Sequence, residues 1–209
     1  MTALATPRIV APRPTLPRGL ETPGRATRRS FVHALALGLV WLAVASASIV
    51  FTEPAPTDAL TIAAIVLLPI IGLVAFRPAH IALAAVWLVV VAGGFVAAID
   101  AGDWADATRH TAISLYLAAA SVVLAGFVSL KPGPHARLLL NAHLAGCIVA
   151  ALAGLGGYFE IVPEAKELFV KFERASGPFK DPNVFGPFLV PGLVYALHLW
   201  LVRPLRRGL

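Results

Sequence analysis

Between Arg174 and Asn183 the chain reads Arg174-Ala-Ser-Gly177-Pro-Phe179-Lys180-Asp181-Pro182-Asn183, a polar passage set directly against the last hydrophobic block. Two of its residues suit phosphate chemistry. Arg174 carries a permanent charge on a planar fork of donors that matches phosphate or diphosphate oxygens, and Lys180 adds a less directional positive charge. The residues between them shape the backbone: Gly177-Pro178 and Asp181-Pro182-Asn183 impose turns, and the residue before each proline is pushed toward extended geometry. The spacing therefore predicts a structured turn bracketed by two cations, with Gly177, Phe179, Asp181, Pro182 and Asn183 as its shaping residues. The ligand chemistry this suits is a phosphate-bearing lipid headgroup.

The elements that must position this turn are membrane helices. Hydrophobic residues make up 58% of the 209-residue chain and charged residues 13%, half the usual share for a soluble domain of about a quarter. The apolar residues fall into six blocks, 31–51, 59–76, 81–99, 111–130, 138–158 and 184–202, none containing an acidic or basic residue. Each approaches the roughly 20 residues that a helix needs to cross a ~30 Å hydrocarbon core. Unpaired backbone groups are costly in lipid, and the blocks are too uniformly apolar for the alternating strands of a barrel. The expected fold is an all-α polytopic membrane protein with six transmembrane helices and one external amphipathic helix lying in the interface.

Charge gives the orientation. With the N-terminus cytoplasmic, the inner segments hold the six arginines of the N-terminal tail together with Arg77, Lys131, Arg137, Arg203, Arg206 and Arg207, which is 12 of the 17 basic residues. Of the 11 acidic residues only Glu21 falls inside. Both termini are thus expected in the cytoplasm, with residues 1–30 a disordered basic tail, 203–209 a basic inner end, and 159–183 facing the exterior. The net charge of +6 sits in the tail and at helix ends, where topology already requires it, so nucleic acid is not an expected partner. A tail of about 30 residues before a 21-residue apolar run argues against a cleaved leader.

From Pro163 to Arg174, Ala165, Leu168, Phe169 and Phe172 recur at helical spacing with charges elsewhere, which predicts the interfacial helix. Beyond the turn, Gly186, Pro187, Pro191 and Gly192 predict a kinked or locally opened outer half of the sixth helix. Other polar residues carry less. Cys147, the one cysteine, shares a helix face with His143, and two ligands are too few for a closed zinc site. Asp100, Asp103 and Asp106 lack the later glycine and distant glutamate of a calcium loop and read as a solvated acidic turn. No metal or cofactor is expected. The uncharged helices disfavour ion-coupled transport.

The run Arg174-x-x-Gly177-x-Phe179-x-Asp181-Pro182-Asn183-x-Phe185-Gly186-x-Phe188-Leu189, after several membrane helices and an external amphipathic stretch, resembles the start of the conserved region in bacterial O-antigen ligases and O-antigen polymerases. The resemblance covers about sixteen residues. It implies transfer of a glycan from undecaprenyl diphosphate, at the periplasmic face of the inner membrane, to lipid A core or to another glycan repeat unit. Arg174, with Lys180 beside it, would meet the diphosphate, and Asp181 and Asn183 would shape the turn. Members of the family carry about a dozen membrane helices, with a further motif and a large external loop after the matched region. The chain is accordingly expected to be the N-terminal part of such a glycosyltransferase and inactive alone. A non-catalytic membrane scaffold or subunit is the alternative, and a small transporter a more distant one.

Overall fold

A computed structural model describes residues 23–52, 54–99, 102–161 and 163–207. In chain order the elements are α1 (Pro23–Ser46), α2 (Pro56–Ile70), α3 (Pro78–Ile99), α4 (Trp104–Leu130), α5 (Pro132–Tyr158), α6 (Ala165–Phe169), β1 (Val170–Lys171), β2 (Arg174–Ala175) and α7 (Pro182–Arg207). Five of these helices open on a proline, which has no N–H to leave unpaired and a backbone angle already suited to the first turn. α4 opens instead on Asp103, whose carboxylate accepts the Asp106 N–H at 3.0 Å.

Four helices, α3, α4, α5 and α7 over Pro182–Val202, are long and apolar enough to cross a membrane. The expected count of six is not reached on that measure. The apolar part of α1, Ser30–Ser46, and the whole of α2 are shorter; the 15 residues of α2 extend only about 22 Å. Both differences from the expected blocks have local causes. α1 stops at Ser46 rather than Phe51 because the hydroxyls of Ser46 and Ser48 turn back onto the Ala43 and Ala45 carbonyls, at 3.2 and 2.9 Å. α2 stops at Ile70 rather than Phe76 at a Schellman closure. There Gly72, at φ +74°, donates to the Pro69 carbonyl, and Leu73 reaches back to Leu68 at 2.8 Å. At its start α1 includes residues 23–30, which the sequence placed in the tail; residues 1–22 lie outside the described chain. At the other end α7 continues helical through Arg207, into the expected inner segment.

The core joins α1, α2 and α4 through Ala36, Val40, Ala64, Leu68, Leu73, Val123 and Phe127, with Val40, Leu68 and Phe127 fully enclosed. His135 locks the α4–α5 corner: its ring stacks on Phe127 at 4.0 Å and its Nδ1 lies 2.6 Å from the Phe127 carbonyl oxygen. At the same end of the bundle the extended chain after α2 pairs with α4, Ala75 N–H donating to Gly126 at 3.0 Å, and His80 Nε2 meets Ser129 Oγ at 3.0 Å.

The α1–α2 connection is sunk into the bundle. Ser48 is buried against Gly146, the middle of α5, where a Cβ would stand 2.7 Å from the Ala45 carbonyl oxygen. Asp58, expected on an outer loop, caps α2 by accepting the Ala55 N–H at 2.8 Å, and the Tyr116 hydroxyl donates to it at 3.4 Å. Tyr116 lies 12 residues into α4, so this carboxylate is about 18 Å along that helix from its N-terminal end.

Candidate functional site

The expected interfacial helix over Pro163–Arg174 is a correction. Only Ala165–Phe169 is helical, and the chain then folds into a two-stranded antiparallel hairpin pairing Val170 with Ala175 and Lys171 with Arg174. Phe172 and Glu173 form its two-residue turn at φ +54° and +57°, the left-handed pair that matches the twist of a tight hairpin. Tertiary bonding overrides the helical spacing. The Phe169 carbonyl, instead of continuing a helix, accepts both the Ser176 N–H at 2.8 Å and the Gly177 N–H at 3.1 Å. The Phe169 ring lies 5.9 Å from that of Phe51, which anchors α6 to the sunken connection.

Behind the hairpin the chain dives toward α5. Ser176 and Phe179 are buried, and Gly177 holds φ +53° with Phe185 and the Ala150 carbonyl against its Cα. Phe179 packs on Phe188 with ring centres 4.9 Å apart, and Phe179 N–H closes a turn onto Ser176 at 3.2 Å. The Val50 N–H donates to the Pro178 carbonyl at 2.9 Å, forming a parallel bridge between Val50 and Phe179. Two irregular segments distant in sequence thus satisfy one another beside the middle of α5. Non-helical backbone is tolerated among membrane helices where protein buries it, and residues 176–179 are buried.

The chain then rises into α7. Asp181 accepts the Asn183 N–H on Oδ1 at 2.7 Å and the Val184 N–H on its carbonyl at 3.1 Å, and Pro182 takes the first helical position. The Asp181 carboxylate is therefore engaged as a helix cap rather than poised as a base. Arg174 does not turn to Glu173 or Asp181: its Nη1 donates to the neutral amide oxygen of Asn183 at 3.2 Å. Lys171 Nζ donates to the Lys180 carbonyl at 3.1 Å. Lys171 and Arg174 are direct cross-strand partners, so their side chains leave the same face of the hairpin. Both reach the Lys180–Asn183 turn at the head of α7.

Sequence spacing alone had not selected Lys171. Its position depends on the left-handed Phe172-Glu173 turn, and neither residue is a turn former of the Asn-Gly type. Ser48 and Val50 were also missed, because Ala45-Ser-Ala-Ser48 reads as small residues of a membrane helix. Elsewhere, in the first turns of α4, Asp106 pairs with Arg109 at 3.2 Å and with His110 at 3.3 Å. Glu160 holds Lys166 at 2.6 Å, and this hydrogen bond raises the Lys166 ammonium above the ordinary lysine range.

Further down, α7 keeps its helix through Pro187 and Pro191, and no opening of its outer half is seen. Close packing on α5 supports it there. Cys147 Sγ meets both His143 Nε2 and the Phe188 carbonyl oxygen at 3.4 Å, and Gly192 sits against Cys147. Comparisons with protein-family models, with curated proteins and with solved structures found no match to this chain.

Proposed function

We propose that the outer turn at the head of α7 binds the diphosphate of an undecaprenyl-linked glycan, and that the chain is the N-terminal part of an O-antigen ligase- or polymerase-like glycosyltransferase. The observation that carries the reading is the convergence of Lys171 and Arg174 from one hairpin face onto the Lys180–Asn183 turn. A cation pair held on neutral acceptors keeps its charge for an anion. When a glycan leaves a lipid diphosphate, negative charge develops on the diphosphate, and fixed cations stabilise it without contributing a nucleophile. In this reading α1 and α2 cross the inner membrane with the four longer helices, both termini face the cytoplasm, and the turn faces the periplasm. Lipid A core or a further glycan repeat would be the acceptor.

The test is binding of undecaprenyl diphosphate to the full chain in phosphatidylcholine nanodiscs, with undecaprenol as the uncharged control. A hydrogen bond to a charged group contributes about 1.5–3 kcal/mol, so Arg174→Ala is expected to weaken diphosphate binding roughly ten-fold or more. Lys171→Ala should act in the same direction. Equal affinity for undecaprenol, or no loss in the Lys171→Ala/Arg174→Ala double variant, would remove the assignment.

A further inference from the structure

The end of the bundle opposite the Lys171–Arg174 turn carries a second set of cations. Gly177, behind that turn, packs on the Ala150 carbonyl, and Pro132 at the start of α5 lies 18 residues and about 27 Å away along the helix. Three exposed cations gather on the α4–α5 corner beside Pro132. Arg77 Nη2 donates to the Ser129 carbonyl at 3.3 Å, Lys131 occupies the corner itself, and Arg137 Nε donates to the Gly133 carbonyl at 3.2 Å. Ser129 and Gly133 are four residues apart, so the two anchoring carbonyls stand within roughly 14 Å of one another. Both acceptors are neutral, and among the described residues none of the three cations pairs with a carboxylate. The backbone under Arg77 is fixed. Its N–H donates to His80 Nδ1 at 2.9 Å, so Nε2 keeps the ring proton and donates to Ser129 Oγ at 3.0 Å.

The two helices latched by His80 and Ser129 also leave a groove between them. It holds about 320 Å³ and is lined by apolar side chains, among them Ala84, Trp87 and Val91 of α3 with Ala118, Ala119 and Val122 of α4. The helices run antiparallel, His80 meeting Ser129 at one end and Gly94 packing on Thr111 at the other, so the Ala84 end of the groove is the one nearer Arg77. Ala84 is seven residues beyond Arg77, about 10 Å, and the groove continues for roughly another 10 Å to Val91. Both helices are long and apolar enough to cross a membrane, and cations at the ends of such helices sit at headgroup level. We infer that the corner and the groove together hold one anionic phospholipid, its phosphate against Arg77 and Lys131 and an acyl chain in the α3–α4 groove. Each half restricts the ligand. A zwitterionic headgroup brings a cation of its own to the corner, whereas phosphatidylglycerol brings only the anion. The groove suits a hydrocarbon chain, which a free phosphate lacks. This site shares no residue with the proposed diphosphate site and does not depend on it.

Trp87 reports on the groove directly. Full-length protein carrying Trp41→Phe, Trp104→Phe and Trp200→Phe keeps it as the one tryptophan. This protein is reconstituted in mixtures of phosphatidylcholine and phosphatidylglycerol, one or the other brominated on its acyl chains, and quenching of Trp87 gives the relative affinity of the two lipids. Phosphatidylglycerol is expected to be favoured about five-fold or more, the contribution of one cation or two. Arg77→Gln should cut that preference about five-fold, Lys131→Gln should act in the same direction, and Arg77→Lys should keep most of it. Ala119→Leu, which fills the groove, should weaken quenching by both lipids. With Trp41 retained instead of Trp87, exposed on α1, the two lipids should quench equally. Equal quenching of Trp87 by the two lipids, an Arg77→Gln variant that keeps the preference, or the same preference at Trp41 overturns the site. Unchanged quenching in Ala119→Leu overturns the acyl seat. Inorganic diphosphate that abolishes the preference, where sodium chloride of equal ionic strength does not, reassigns the corner to a soluble phosphate and overturns the lipid. The Lys171→Ala/Arg174→Ala double variant should leave the preference intact, and its loss there would overturn the assignment to this corner.

Discussion

Gly177 is where the proposed site is most vulnerable to a single methyl group. Its φ of +53° costs an alanine about 1–2 kcal/mol, partly offset by ~0.4–1 kcal/mol from the stiffer unfolded chain. A Cβ there would stand 2.8 Å from the Phe185 ring and 3.0 Å from the Ala150 carbonyl oxygen. The ring cannot simply withdraw, because on its other side it fills the space where a Cβ on Gly154 would be, 2.7 Å away. Phe185 is wedged between two glycines. Relieving such an overlap costs about 1–3 kcal/mol, giving a net loss near 2–4 kcal/mol for Gly177→Ala. At about 2–4 °C per kcal/mol for a chain of this size, the midpoint should fall by roughly 5–15 °C in thermal unfolding of the detergent-solubilised protein. Gly156→Ala is the matched control. It lies in α5 with nothing within 4 Å of a new Cβ, so it should leave the midpoint unchanged or raise it. Adding Phe185→Ala to Gly177→Ala should cost less than the two single losses combined, with a coupling of ~1 kcal/mol or more. A Gly177→Ala protein that melts within a degree or two of the parent would refute the wedge, and so would a Gly156→Ala control that falls equally.

The remaining predictions concern the hairpin, the orientation and one surface pair. Glu173→Gly should stabilise the hairpin by about 0.5–1 kcal/mol, since glycine adopts its φ of +57° freely at some entropic cost; amide exchange at Ser176, whose N–H is bonded to Phe169, should slow, and faster exchange would count against the turn. A periplasm-active reporter fused beside Arg174 should be active and one fused after Leu209 inactive, and the opposite pattern would remove the exterior assignment. Glu160→Gln should bring the Lys166 ammonium down toward its ordinary range in an NMR titration, because the Glu160 hydrogen bond is the main cause of its raised pKa. With the folded pKa raised, whatever the pair adds to stability is fully present below the ordinary lysine value and fades as pH rises through the raised one. An unchanged Lys166 titration would show that the contact does not persist in solution.

The membrane class and the four long helices were legible because hydropathy acts over twenty residues at once, and a lone polar side chain does not change the outcome. The turn before α7 was legible for a different reason, its density of Gly, Pro, Asp and Asn, but the helix begins at Pro182 within that turn run rather than at Val184, because Asp181 caps it and the proline suits its first position. Elements decided by one residue's backbone angle were not. Ala165, Leu168, Phe169 and Phe172 satisfy the helical period, yet the left-handed angles at Phe172 and Glu173 turn the second half into a hairpin. The ends of α1 and α2 were misplaced because Ser46, Ser48 and Gly72 act through single hydrogen bonds and one φ angle inside runs that are otherwise apolar. The glycines show the same limit. Gly154 and Gly156 are equivalent in the sequence, but the first is covered by Phe185 and the second faces open space.

What these local decisions build is a rigid floor under a polar head. Ser48, Ser176 and Phe179 are all buried, and the bond from Val50 to Pro178 ties the α1–α2 connection to the turn. The strand pair sets Lys171 and Arg174 side by side, and each has an acceptor in the turn, the Lys180 carbonyl and the Asn183 amide oxygen. Binding to a preorganised cation pair loses less entropy than binding to two free side chains, so modest contacts can give useful affinity. The sunken connection is better understood as a brace for the turn than as an outer loop: it brings the Val50 N–H to the carbonyl of the buried Pro178, and the turn that receives it is the one carrying the charges.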